Sequence, residues 1–225
     1  MHTTGPQAPG VAPDAPDVAG EQHDSVQREP VFLLSPASLS GVRGRRLLAG
    51  GGNAVVAERI ARGEGVPLGD VYASISSLYF RGKLAYARRY ARRPHSVGVR
   101  VITPDRGLCT AEEPVYIEDL RRMAATAIDE REEAYRGALC TSARQLMSEL
   151  PPDVEVVLLG SVATRKYLEP LGEVLGDRLR VPREFIGLGD MSRGGLLLRA
   201  VASGRQLDYV LASSAAIRPP RGSKS

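Results

Sequence analysis

Val31-Phe-Leu-Leu34, closed by Ser35-Pro36, is the stretch that decides the fold class. Four consecutive large apolar side chains leave no polar face. A strand built from them is buried on both sides, as in the middle of a parallel sheet covered by helices. Val154–Leu159 repeats the pattern and ends at Gly160-Ser161, and Val97–Thr103 is a third run, closed by Pro104-Asp-Arg-Gly107. Shorter strands are expected near Arg178–Val181 and Leu207–Leu211.

Between these runs the apolar period lengthens to that of a helix. Phe80, Leu84, Ala87 and Ala91 recur at i, i+4, i+7 and i+11 and predict a helix from about Ser76 to Ala91 with one buried stripe. Tyr135, Leu139, Ala143, Leu146 and Leu150 mark another from about Glu130, stopped by Pro151-Pro152. Further helices are expected near Ala54–Ala61, Ile117–Ala127, Lys166–Leu171 and Ser192–Ser203. Alternating strands and helices predict a single α/β domain with a mixed or mostly parallel sheet flanked by helices. The domain is expected over residues 30–217. Residues 1–29, rich in Pro, Ala, Gly and Asp, and residues 218–225 are expected to be disordered tails, because they hold too few large apolar groups to repay the entropy of ordering.

The chain of 225 residues is 43% hydrophobic and 25% charged, the balance of an ordinary soluble protein. No apolar run approaches the roughly 20 residues of a membrane span, and the N-terminus lacks the pattern of an export signal, so no membrane partner and a cytoplasmic location are expected. Two cysteines, Cys109 at the end of a strand and Cys140 inside a helix, read as small buried hydrophobes rather than a disulfide framework or metal cluster. Of three histidines, His2 and His23 lie in the tail and His95 follows Pro94 in a loop. A histidine metal site, a Ser-His-Asp triad or a Cys-His pair would have to be built on His95 alone, so neither metal nor redox cofactor is expected.

Polar chemistry gathers where the strands end. In an open α/β sheet, ligands sit beyond the carboxyl ends of the strands, which here carry Ser35, Thr103–Gly107 and Gly160-Ser161. Gly187-Leu-Gly-Asp-Met-Ser-Arg-Gly-Gly195 joins them: four glycines in nine residues describe a tight turn opening a helix, whose free N–H groups suit a phosphate. Asp190 or Ser192 would cap that helix, Gly189 would let a ligand approach, and Arg193 would clamp the anion. The bland alternative is a set of ordinary turns, since Pro, Gly, Ser and Asp are what turns use.

The helix at 76–91 carries a second message. Arg81, Lys83, Arg88, Arg89, Arg92 and Arg93 are six cations in thirteen residues, with Tyr86 and Tyr90 among them. Arg81, Arg88 and Arg92 share a stripe beside the apolar one. Basic residues interleaved with aromatics match a surface that tracks a phosphate backbone, although a solvated face looks the same. Arg43, Arg45 and Arg46 form a second basic cluster in a glycine-rich stretch read as a loop. For proton transfer the candidates are Asp70, Asp105 and Asp190, each beside a glycine-containing turn and none paired by spacing.

Ser35-Pro-Ala37 after the first strand, Gly69-Asp-Val-Tyr72, the glycine turn at Gly107 and Gly189-Asp-Met-Ser-Arg193 occur in this order. In these motifs, from Val31 to Tyr209, the chain resembles the YaaA family of peroxide-stress proteins. The resemblance implies one mixed α/β domain with a positively charged cleft, DNA binding and a part in limiting oxidative damage to DNA. Two cations of the family pattern are absent: Ser38 stands where the family has lysine, and Leu188 where it has arginine.

Together these features predict a nucleic-acid-binding protein, with duplex DNA as partner and phosphate held by Lys83, Arg106 and Arg193 in a pocket shaped by Ser35, Asp70 and Tyr72. The alternative is an enzyme acting on a nucleotide or nucleobase, of N-glycosidic transfer type, with Asp70, Asp105 and Asp190 as its acids and bases. A third is an interaction protein whose basic helix meets an acidic partner.

Overall fold

The computed structural model describes residues 1–2 and 29–216. The two tails expected from composition lie almost wholly outside these residues. Strand β1 (Val31–Leu34) is followed by helix α1 (Val42–Leu48) and helix α2 (Ala54–Ala61), the latter capped by the Asn53 side chain accepting from Val56 N at 3.2 Å. The expected glycine-rich basic loop is therefore largely helix α1. Gly44 makes this possible, because a Cβ there would run into the Leu39 carbonyl.

Strand β2 (Val66–Pro67), helix α3 (Leu68–Ile75) and helix α4 (Tyr79–Tyr90) come next. The Gly69–Tyr72 motif thus lies in a helix. Short helix α5 (His95–Gly98) precedes β3 (Val99–Thr103), so the third apolar run begins two residues later than expected, and His95 is helical rather than in a loop. Strand β3 turns back into β4 (Gly107–Thr110), which places Cys109 inside a hairpin strand rather than at a strand end. Strand β5 (Pro114–Val115), helix α6 (Ile117–Ala125) and helix α7 (Glu133–Glu149) lead to β6 (Val156–Leu159). Helix α8 (Arg165–Leu175), strand β7 (Leu179–Pro182), helix α9 (Asp190–Ser203), strand β8 (Tyr209–Leu211) and helix α10 (Ala212–Ala216) complete the order.

Six strands form one sheet in the order β4-β3-β1-β6-β7-β8, and β2 pairs with β5 separately. β3, β1, β6 and β7 run parallel, while β4 and β8 close the edges antiparallel. The protein is an α/β domain with a mostly parallel sheet flanked by helices. Both apolar runs at its centre are fully buried, and the reason is the period of two along a strand. Phe32, Leu34, Val157 and Leu159 face one helix layer made of α1–α4, α6 and α9, with Phe32 edge-on to Tyr86 at 5.5 Å. Val31, Leu33, Val156 and Leu158 face the other, made of α7, α8 and α10.

This division creates a topological switch point. β1 and β6 are parallel neighbours, yet the helices after β1 cover the first face and the helix after β6 covers the second. Their chains diverge beyond Ser35 and Gly160, which leaves a crevice at the carboxyl end of the sheet. On the first face α4 crosses α9 at Gly82 and Gly194. A Cβ at Gly82 would come 2.8 Å from the Gly194 carbonyl, and one at Gly194 would come 2.9 Å from the backbone of Leu78 and Tyr79. Gly194 and Gly195 are thus helix residues: the glycine turn is confined to Gly187, with φ of 82°, and Gly189.

Candidate functional site

The crevice at the switch point holds a cleft of about 460 Å³ between the end of β1, the start of α1, the α3–α4 junction and the start of α8. That is the size of a small-molecule site. Hydroxyls of Ser35, Ser38, Ser76, Ser77 and Ser161 line it, with Lys83, Lys166 and Arg43 as cations. Asp190 is the one carboxylate in this lining. A second recess of about 420 Å³ shares Pro36–Ser38, Lys166 and Tyr167 with it and continues toward Tyr72, Pro104 and Met123.

Lys83 forms the floor. It lies on the apolar side of α4 and is 1% exposed. Its Nζ donates to the backbone carbonyl of Ser35 and, at 2.8 Å, to the Ser35 hydroxyl. The ammonium also stands over the rings of Tyr79 at 4.4 Å and Phe80 at 5.1 Å from their centroids. Among the described residues no carboxylate pairs with it. Burial therefore pushes the Lys83 pKa down to about 7; Asp190 opposes this and Arg193 adds to it. Ser35 is itself held in place, its N–H donating to the Leu159 carbonyl at 3.1 Å and its hydroxyl reaching the same carbonyl at 3.4 Å. The Tyr79 hydroxyl is buried, and burial raises its pKa to about 12 although the nearby Arg193 guanidinium opposes the rise.

The other expected phosphate ligands point elsewhere. Arg193 is 4% exposed; its Nε and Nη2 donate to the Phe185 carbonyl at 3.3 and 3.0 Å, and its Nη1 pairs with Asp190 at 3.3 Å. It ties the turn before α9 to the first turn of that helix. Arg106 pairs with Glu113 at 2.8 Å in the β3–β4 turn, and Asp105 pairs with Arg122 at 2.7 Å. Neither Asp105 nor Arg106 lines the cleft. Asp70 is exposed in the first turn of α3, outside the lining, and Tyr72 is buried with its hydroxyl donating to Met123 Sδ at 3.6 Å. Gly189 is the N-cap of α9 with no side-chain cap bond, so neither Asp190 nor Ser192 caps that helix; Ser192 is exposed.

On the outer face of α4, Arg81 is exposed and donates to the Ser77 carbonyl at 2.8 Å, and Arg88 pairs with Glu112 at 3.4 Å. Arg92 is half-buried, its backbone N–H bound to Pro30. Lys166 and Tyr167 entered the site without being singled out in the sequence. Their only signal was position, since Lys166 and Tyr167 open the helix after the Gly160-Ser161 strand end. Among the described residues no three His, Cys, Asp or Glu side chains are grouped to hold a metal ion, and no helix is long and apolar enough to cross a membrane.

No family model matches the chain, and neither a curated protein nor a solved structure matches it.

Proposed function

We propose that the protein is a cytoplasmic enzyme that binds a small anionic, nucleotide-like substrate in the cleft at the β1–β6 switch point. The observation that carries this reading is Lys83, a buried cation whose polar partners are the two oxygens of Ser35. A buried charge without a counter-charge is costly, and an anion entering the cleft would remove that cost. Lys166 and Arg43 at the lip extend the same preference outward, and the serine hydroxyls supply neutral hydrogen bonds for a sugar or phosphate. The aromatic wall of Tyr79 and Tyr167 suits a planar ring.

Thermal melting with inorganic phosphate, AMP, UMP and adenosine tests it. The monophosphates should raise the melting temperature with concentration, by mass action, and adenosine should do so far less. Lys166→Ala and Arg43→Ala should each weaken the AMP effect several-fold. No shift with any anion would overturn the reading.

Binding to duplex DNA, with the protective role implied by the resemblance to the YaaA family, is the second reading. It is favoured by the exposed Arg43, Arg45 and Arg46 of α1, the first of which reaches the cleft. Fluorescence anisotropy of a labelled duplex across a salt series separates the two. Under the DNA reading affinity falls steeply with salt, and Arg88→Ala/Arg92→Ala reduces the slope.

A further inference from the structure

Ser35 and Lys83 together have the parts of a nucleophile and its base. We propose that Ser35 Oγ is a catalytic nucleophile, that Lys83 Nζ is its general base, and that the cleft performs acyl transfer to water on an ester of an anionic molecule. The inference rests on the ligand class proposed above.

Four observations carry it. The hydroxyl and the amine are 2.8 Å apart, within reach for direct proton transfer. The amine is oriented by a third group, the Ser35 carbonyl, and walled by Tyr79 and Phe80, so its lone pair has one direction in which to face. Both residues line the cleft, and Gly160 keeps the approach to Ser35 narrow but open: a Cβ there would stand 3.3 Å from Ser35 Oγ. Finally, the chain has only three lysines, Lys83, Lys166 and Lys224, against 27 arginines. The position that needs a removable proton holds a lysine, and arginine cannot lose one in a protein. Burial without a carboxylate keeps an appreciable share of Lys83 neutral near pH 7.

As Ser35 Oγ bonds to the acyl carbon, its proton passes to neutral Lys83 and the carbonyl electron pair moves to oxygen. Collapse of this tetrahedral adduct expels the alcohol, which takes the proton back from Lys83. Water, deprotonated by Lys83, then attacks the acyl-serine and releases the carboxylic acid and the free hydroxyl of Ser35. A purely architectural Lys83, clamping the end of β1, would do none of this.

The test is covalent labelling of the full chain with a biotinylated alkyl fluorophosphonate, followed by intact mass and peptide mapping from pH 6 to 9. The expected result is a single adduct on Ser35 formed with loss of fluoride, at a rate that rises through about pH 7 and then levels. Ser35→Ala should remove the adduct. Lys83→Arg should slow labelling at least a hundredfold, and Lys83→Met, which keeps the volume without the charge, should do the same with the fold intact by circular dichroism. No adduct on Ser35, or an unchanged rate in both folded Lys83 variants, overturns the proposal. AMP present during labelling separates it from the ligand class. An adduct that AMP does not slow upholds the Ser35–Lys83 pair and removes the nucleotide-like ligand. A melting shift with AMP and no adduct keeps the ligand and overturns the pair.

Discussion

β1 and β3 are neighbouring parallel strands that end on the same rim of the sheet, yet their ends are built differently. Beyond β3, Thr103 Oγ1 accepts from Arg106 N at 3.1 Å and donates to the Gly107 carbonyl at 2.9 Å, which closes the turn on itself. The charges there are paired: Arg106 meets Glu113, and Arg122 meets Asp105 and Asp119, while Asp105 Oδ1 and Arg106 Nε, 4.0 Å apart, are buried without a hydrogen bond. Beyond β1, among the described residues, the ammonium of Lys83 in the floor has the Ser35 hydroxyl and carbonyl as its polar partners and no carboxylate. Two polar loops on one rim therefore differ: one pairs its cations with carboxylates, and the other holds a buried ammonium on neutral oxygens.

The largest effect that separates them is the pH dependence of stability. Unfolded, Lys83 keeps its ordinary pKa of 10.5, and folded it falls to about 7. Below pH 7 the ammonium is buried at full cost; between pH 7 and 10.5 the unfolded chain binds the extra proton, so folding is favoured as the pH rises. The gain is at most on the order of 5 kcal/mol. Lys83→Met should lose it, and melting curves of the two proteins at pH 6.5 and 9.5 measure the difference. A wild-type curve with no more alkaline gain than the variant breaks the comparison.

Next comes the helix crossing that holds Lys83 in place. Gly194→Val drives a side chain into the backbone of Leu78 and Tyr79, and overpacking of that kind costs about 3 kcal/mol. The melting temperature should fall by roughly 6–12 °C for a chain of this length. The alkaline gain should shrink with it, because α4 is displaced. A melting temperature within a degree of wild type contradicts the packing described.

The smallest effect belongs to the closed side. Asp105→Ala leaves the exposed Arg122 with one carboxylate and should lower the urea midpoint only slightly. It should leave the AMP melting shift unchanged, since Asp105 lies outside the cleft. A lost shift would mean that the two rims act as one site.

What was legible in the sequence follows from period and composition. The runs Val31–Leu34 and Val154–Leu159 announced central strands, although the second begins only at Val156, beyond Glu155, and Phe80, Leu84 and Ala87, with Ala91 at the C-cap, are the buried stripe of α4. Parallel strands also put Ser35 and Gly160-Ser161 on one rim. Which way an arginine turns was not legible. Arg193 and Arg106 find their partners, the Phe185 carbonyl and Glu113, through loop conformations that no spacing encodes. The extent of the glycine turn was not legible either: Gly194 is a helix residue that meets Gly82, 112 residues away in the chain, at a helix crossing. Lys83 was half legible. It sits three residues after Phe80 and four before Ala87, on the apolar face, where a cation must be either held or used.

The most direct measurement is an NMR titration of the lysine side chains, feasible because there are three. Selective ¹³Cε labelling, with Lys83→Arg to assign the signal, gives the Lys83 pKa free and with AMP bound. The account predicts a value near 7 for the free protein. It also predicts an upward shift when the phosphate fills the cleft, since an anion favours the ammonium. A Lys83 that titrates near 10.5, or one that AMP leaves unmoved, would contradict it.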